Sequence, residues 1–123
     1  MEHYGLEIIN DTDELEKLGL DGKEYAIGTD EEADEACEDY ILDMVWAFNP
    51  SFLSAHIPAL SEKQIAKLQE DCEDANEGLL GLIKDKDHFV KDAISCDGRG
   101  HFLSHYDGEE VELKDGLFAY RLY

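Results

Sequence analysis

Between Thr29 and Phe48 the chain reads TDEEADEACEDYILDMVWAF, with no Lys or Arg anywhere in the stretch. Thr29 is placed to cap a helix, and Glu32, three residues on, to reach back and complete a capping box. Ala33, Cys37, Tyr40, Ile41, Met44, Val45 and Phe48 recur at helical spacing, so they form one apolar stripe. Asp30, Glu31, Asp34, Glu35, Glu38, Asp39 and Asp43 fill most of the remaining surface. The spacing predicts a helix over 29–48 with one side for a core and one side of nearly unbroken carboxylate. Each like-charged i,i+4 pair costs roughly 0.2–0.5 kcal/mol. First-turn acids regain part of that cost at the helix N-terminus, whereas Glu38, Asp39 and Asp43 lie too far along to do so. Such a surface is either the solvated side of an acidic protein or a surface kept acidic for a partner.

The charge of the whole chain bears on that choice. At 123 residues with 43% hydrophobic content, the sequence predicts a single domain with its own core, not a disordered acidic tail. Its formal net charge is −21, whereas small domains usually stay near a magnitude of about 2–8. Residues 1–47 hold sixteen acids against Lys17 and Lys23, so they supply −14 of the total. A field of this sign repels nucleic acid and anionic membranes and attracts basic surfaces. No apolar run approaches the roughly 18 residues of a membrane-spanning helix. The opening MEHYGLEIIND lacks the basic start and apolar region of a secretory signal. Cys37, Cys72 and Cys96 are odd in number and lack metal-type pairing, so they are expected to be reduced core residues of a cytosolic protein.

In chain order, Tyr4–Ile9 is expected to be a strand. Asp11 with Glu14 forms a second capping-box pattern before a short helix carrying Leu15 and Leu18 and ending at Gly19. Asp21-Gly22 is expected to turn, and Lys23–Gly28 to be a strand with Tyr25 and Ile27 on one side. Asn49-Pro50 ends the acidic helix, and Ser51–Ile57 forms a short one containing His56 as a core histidine. Ser61 and Gln64 open a second long helix, with Ile65, Leu68, Cys72, Ala75, Leu79, Leu82 and Ile83 inward. Gly78 and Gly81 weaken it and are expected to serve close packing. Asp87–Ser95 reads as a third helix, closed by Cys96-Asp97-Gly98. His101–Tyr106, Val111–Leu113 and Leu117–Tyr123 read as strands joined by turns at Asp107-Gly108 and Asp115-Gly116. Trp46, Tyr25, Phe48, Phe52, Phe89 and Tyr106 are expected in the core, with Tyr120 and Tyr123 divided between core and surface. The expected class is α+β: two longer and one or two shorter helices packed on a small antiparallel sheet.

The stretch DGRGHFLSHYDG, Asp97–Gly108, gathers Asp97, Arg99, His101, Ser104, His105 and Asp107. An enzymatic reading makes a histidine the base and Arg99 an anion clamp. A structural reading gives Gly98 and Gly100 a tight entry into a strand, and pairs Arg99 with nearby carboxylates. On a strand, His101 and His105 stand about 13 Å apart and cannot share one metal ion. No EF-hand loop, phosphate loop or nucleophile elbow occurs, so neither a metal nor a cofactor is expected.

In that stretch, extended to DGRGHFLSHYDGEE, and in VWAFNPSF (Val45–Phe52) and the closing YRLY (Tyr120–Tyr123), the chain resembles small acidic proteins encoded by phages and mobile elements. The similarity runs from about Lys23 to the end. The resemblance supplies no catalytic residues. It implies a phage product acting in a bacterial cytoplasm, where strongly acidic anti-CRISPR and anti-restriction inhibitors imitate DNA. The expected function is therefore inhibition of a host nucleic-acid-binding defence complex. The acidic helix would occupy the complex's basic groove through Asp30, Glu31, Asp34, Glu35, Glu38, Asp39 and Asp43. The protein itself would contact no nucleic acid or membrane, and a homodimer is compatible with this. The alternatives are an acidic, antitoxin-like regulator with an apolar patch near Trp46–Phe52 or Tyr120–Tyr123, or a small enzyme using Arg99, His101 and Asp107.

Overall fold

The structure is a computed structural model and describes residues 2–10, 12–20 and 23–123. The expected cap at Asp11 and turn at Asp21-Gly22 lie outside the described residues. The class is α+β, as the sequence pattern predicts. The chain divides into two compact units, Met1–Tyr40 with Ile94–Tyr123, and Ile41–Ala93.

The first unit is built on five strands: β1 (Glu2–His3), β2 (Leu6–Ile9), β3 (Tyr25–Thr29), β4 (Val111–Glu112) and β5 (Leu117–Arg121). Their order is β1-β2-β3-β5-β4, and every neighbouring pair is antiparallel. The strand read at Lys23–Gly28 is the central one. The expected strand Tyr4–Ile9 is instead half of a hairpin. Tyr4 and Gly5 take φ of 51° and 89° and turn β1 back onto β2. Two-residue turns of this hand match the twist of the strands they join.

Residues opposite one another on adjacent antiparallel strands share a face of the sheet. Glu2, Glu7, Ile27, Ala119 and Val111 therefore form one cross-strand row. On that face, Ile9, Ile27 and Ala119 pack against Leu15 and Leu20, which helix α1 (Thr12–Lys17) brings over them. The Leu20 N–H donates to the Leu15 carbonyl at 2.7 Å and the Gly19 N–H to that of Glu16 at 3.0 Å, so the chain folds back and seats Leu20 beside Leu15. The other face presents Leu6, Ala26 and Tyr120, all fully buried.

Helix α2 (Asp30–Asp43) begins in the first unit and ends in the second. The predicted capping box is present: the Thr29 N–H donates to Glu32 Oε1 at 2.9 Å, and the Glu32 N–H to Thr29 Oγ1 at 3.2 Å. The helix stops at Asp43, short of the expected Phe48, and Val45–Ala47 form a 3₁₀ turn. Asn76 accounts for the early end. Its side chain donates to the Leu42 carbonyl at 2.9 Å and accepts the Trp46 N–H at 3.1 Å. Those bonds replace the partners a continuing helix would supply.

In the second unit, α3 (Pro50–Ser54) is capped by Asn49, whose side chain accepts the Ser51 N–H at 2.9 Å. The predicted Ser61–Gln64 capping box opens α4 (Glu62–Gln69). The single long helix expected beyond it is broken. Cys72 takes φ 53°, Cys72–Ala75 form a 3₁₀ turn, and α5 (Asn76–Leu82) follows. The expected stripe is not continuous: Leu68 and Leu82 are about 40% exposed and Cys72 lies at the surface. A side-chain carbon added at Gly78 or Gly81 would meet nothing within 4 Å, so close packing does not explain these glycines. The buried residues of this unit include Leu53, Ile57, Ile65, Leu79 and Phe89.

Helix α6 (Lys86–Leu103) includes the expected Asp87–Ser95 segment and is interrupted at Gly98, where φ is 83° and ψ 157°. Beyond it the chain resumes a helical turn through Leu103, closed by the Ser104 N–H donating to Gly100 at 2.8 Å. The strand expected at His101–Tyr106 is absent. Of the cysteines, only Cys37 is in the core; Cys72 and Cys96 are exposed. Tyr106 is likewise exposed, with the Arg121 guanidinium 3.6 Å from its ring centre. Tyr120 is buried and Tyr123 exposed. Among the described residues, no helix is long and apolar enough to cross a membrane.

Candidate functional site

Helical geometry divides the acids of α2 into two rows. Ala33, Ala36, Cys37 and Ile41 are buried and fix the inward side. Asp30, Asp34 and Glu38 follow one another at four-residue steps along one flank. Glu31, Glu35 and Asp39 do the same along another.

The first row is already partnered. Arg99 extends from the helical turn after Gly98, with its side chain only 11% exposed. Its Nη1 donates to Asp30 Oδ1 at 2.7 Å, to Asp34 Oδ1 at 3.0 Å and to the Asp30 carbonyl at 3.0 Å. Its Nε donates to Glu110 Oε1 at 2.8 Å, and the Tyr120 hydroxyl donates to that same oxygen. The guanidinium lies 4.8 Å from the centre of the Phe118 ring. A planar fork of donors suits several carboxylates at once, as a lysine would not. Burial disfavours the charge on Arg99, but the hydrogen bonds to Glu110 and Asp30 outweigh it and raise its pKa. Burial, and then the bond to Glu110, raise that of Tyr120. Burial pushes the Cys37 thiol up to about 12 against the pull of Arg99, so it stays protonated at neutral pH.

Two glycines make this cluster possible. Gly98 supplies the left-handed backbone that redirects α6. At Gly100, an added side-chain carbon would stand 2.7 Å from the Gly108 carbonyl oxygen and 2.8 Å from the Glu110 nitrogen. The segment 108–110 therefore lies directly on the helical turn, which brings Glu110 to Arg99.

The second row carries no such partner. Glu31, Glu35 and Asp39 are exposed, and none takes part in an ion pair among the described residues. Glu38 is half-buried. Asp43, the last helical residue, is exposed and continues the four-residue spacing in sequence. Of the seven acids read from the sequence, Asp30 and Asp34 are thus tied to Arg99, Glu38 is partly covered, and the other four face solvent.

Arg99, His101 and Asp107 take separate partners. His101 is exposed, its ring set edge-on against Phe102. Asp107 accepts the Ser104 hydroxyl at 2.8 Å and the Glu109 N–H at 3.0 Å, and these bonds lower its pKa. His105 packs instead on His3, with ring centres 4.7 Å apart. The pairing of Arg99 with carboxylates is the arrangement the structural reading of this stretch anticipates. In the second unit His56 is buried, as expected, and its Nε2 lies 2.8 Å from Asp92 Oδ2. Trp46, Phe48 and Phe52 are half-buried. No group of three or more His, Cys, Asp or Glu side chains among the described residues is placed to hold a metal ion.

The sequence pattern singles out neither Glu110, Tyr120 nor Asn76 for these roles. Asn76 alone leaves a trace, as a poor helix former inside an apparently continuous helix. No protein-family model matches the chain, and neither a curated protein nor a solved structure shows significant similarity to it.

Proposed function

We propose that this protein is a phage- or mobile-element-encoded inhibitor acting in the bacterial cytoplasm. It would bind the basic nucleic-acid groove of a host defence complex, a CRISPR effector or a restriction enzyme. The contact is the exposed row Glu31, Glu35 and Asp39, and the observation that supports this reading is that the row forms no ion pair among the described residues. Four-residue steps place its carboxylates about 6 Å apart along the helix axis. DNA phosphates advance by about 3.4 Å per strand, so each step covers roughly two phosphates. A groove that neutralises phosphates with Lys and Arg would meet the row as a competitor. Asp30 and Asp34 hold the helix in place through Arg99, and the outer row is left for the partner.

The test is affinity capture of the tagged protein from a bacterial lysate at low and high salt, beside a Glu31→Lys/Glu35→Lys/Asp39→Lys variant. The expected outcome is a nucleic-acid-binding defence subunit that is retained at low salt, released at high salt and lost by the variant. These positions are exposed, so circular dichroism should show the fold unchanged. Retention of the same partner by the variant, or at high salt, would overturn the proposal.

A further inference from the structure

The sheet face covered by α1 is only partly covered. That helix is six residues long, and beside it lies a groove of about 690 Å³. This volume is in the range of pockets that take organic ligands or several side chains, about 300–1,000 Å³. Ile9, Ile27, Leu18 and Leu117 give it an apolar lining, the last two only partly buried. Glu2 and Glu7 from the β1–β2 hairpin and Glu14 from α1 line it as well. Glu2 and Glu7 are direct cross-strand partners, and like charges in that position destabilise a sheet. None of the three forms an ion pair among the described residues. Lys17 also borders the groove and likewise forms no ion pair there. Glu32 borders it too, but its carboxylate is engaged by the Thr29 N–H. Apolar lining beside carboxylates that form no ion pair is complementary to a side chain with an aliphatic stem and a cationic end.

We propose that this groove docks a basic, amphipathic peptide segment of a protein partner. A Lys or Arg stem lies on Ile27, Leu18 and Leu117, and its cation sits between Glu2, Glu7 and Glu14. The bound cation also relieves the repulsion between Glu2 and Glu7. Phe118 and Tyr120, which meet Arg99 and Glu110, belong to the opposite face of the sheet. The groove reaches α2 at Glu32, but none of Glu31, Glu35 and Asp39 lines it, so the proposed docking does not depend on the exposed row of that helix.

The experiment is a methyl NMR titration of the whole protein with a short acetylated peptide of alternating Lys and Leu. A peptide with Glu in place of Lys serves as the control. The Ile27, Leu18 and Leu117 methyl signals should shift to saturation with the Lys peptide and stay in place with the Glu peptide. Glu7→Lys/Glu14→Lys should weaken binding by about tenfold, whereas Glu31→Lys/Glu35→Lys, an equal change of charge, should weaken it less than about twofold. The milder Glu2→Gln/Glu7→Gln keeps side-chain shape should the reversal not fold, and should weaken binding about threefold. Equal weakening by the two reversals would mean bulk attraction and overturn the proposal. So would binding of the Glu peptide, or shifts confined to α2. Groove signals that move as the protein alone is concentrated would assign the groove to a second copy of the chain and equally overturn it.

Discussion

Helices α2 and α4 start in the same way and are stabilised differently. Each opens with a side chain that accepts the N–H three residues on, and each third residue returns the bond, Thr29 with Glu32 and Ser61 with Gln64. Beyond the cap they diverge. α4 has Glu62 in its first turn and Lys67 in its last, each sign at the end where the helix dipole favours it. α2 has acids in its first turn and no base in its last. Its compensating cation is Arg99, which lies 65 positions from Asp34 and 69 from Asp30 in sequence. Capping is thus a local property, and charge compensation need not be. Because Arg99 serves only the Asp30–Asp34 flank, the helix can be held in place while the other flank stays uncompensated.

Removing the distant cation should separate the two helices most. Arg99→Met takes away hydrogen bonds to Asp30, Asp34 and Glu110. Loss of one member of a buried pair costs about 3–5 kcal/mol. The two aspartates are 68% and 62% exposed and can return to water, so the expected loss is nearer 2 kcal/mol. Arg99→Lys should recover less than about half of it, because one ammonium cannot fork to the same acceptors. Urea denaturation of the three proteins measures this. A loss below about 0.5 kcal/mol for Arg99→Met would show that α2 tolerates its charge without help.

A middle-sized effect tests the shared feature. Thr29→Ala and Ser61→Ala should each cost about 1 kcal/mol. Amide hydrogen exchange in the first turn of each helix reads the two losses separately. Similar losses confirm that the caps are equivalent. A loss at one site several times the other would mean that the flanking charge, and not the cap alone, sets the strength of the helix start.

The smallest effect concerns the exposed flank. Glu35→Lys interrupts the i,i+4 row between Glu31 and Asp39 and should stabilise the fold by about 0.3 kcal/mol at low salt. The gain should fade as salt rises, since the screening length shortens to about 8 Å near physiological ionic strength. Thermal denaturation at two salt concentrations measures it. A loss of stability would show that Glu35 has a structural partner, contrary to its exposed position.

Local rules made several elements legible in the residues alone. The caps at Thr29 and Ser61, the turn at Asp115-Gly116 and the strand at Lys23–Gly28 depend on neighbours a few residues apart, whereas Asn49-Pro50, expected to end the acidic helix, instead opens α3. The candidate site was legible in part for the same reason. The acids of α2 and their helical spacing are visible in the sequence, whereas their division into a partnered and an unpartnered row is not. That division depends on where Arg99 lands, which follows from the left-handed backbone at Gly98 and the close approach at Gly100. Those two glycines had suggested entry into a strand, and the helical turn after them became clear only in three dimensions.

Two further departures meet at one residue. The apparent helices at 29–48 and 61–83 both satisfy apolar periodicity, yet each is shorter than its pattern. Asn76 binds the backbone at the end of one while sitting within the range predicted for the other. Periodicity records which residues could share a side of a helix, not whether a tertiary hydrogen bond will end it. The α+β class, the capped starts and the acidity of α2 are written in the residues, because they follow from local spacing and composition. Where α2 stops, which acids acquire a cation and which carboxylates stay open emerge on folding, because these depend on contacts between residues far apart in the chain.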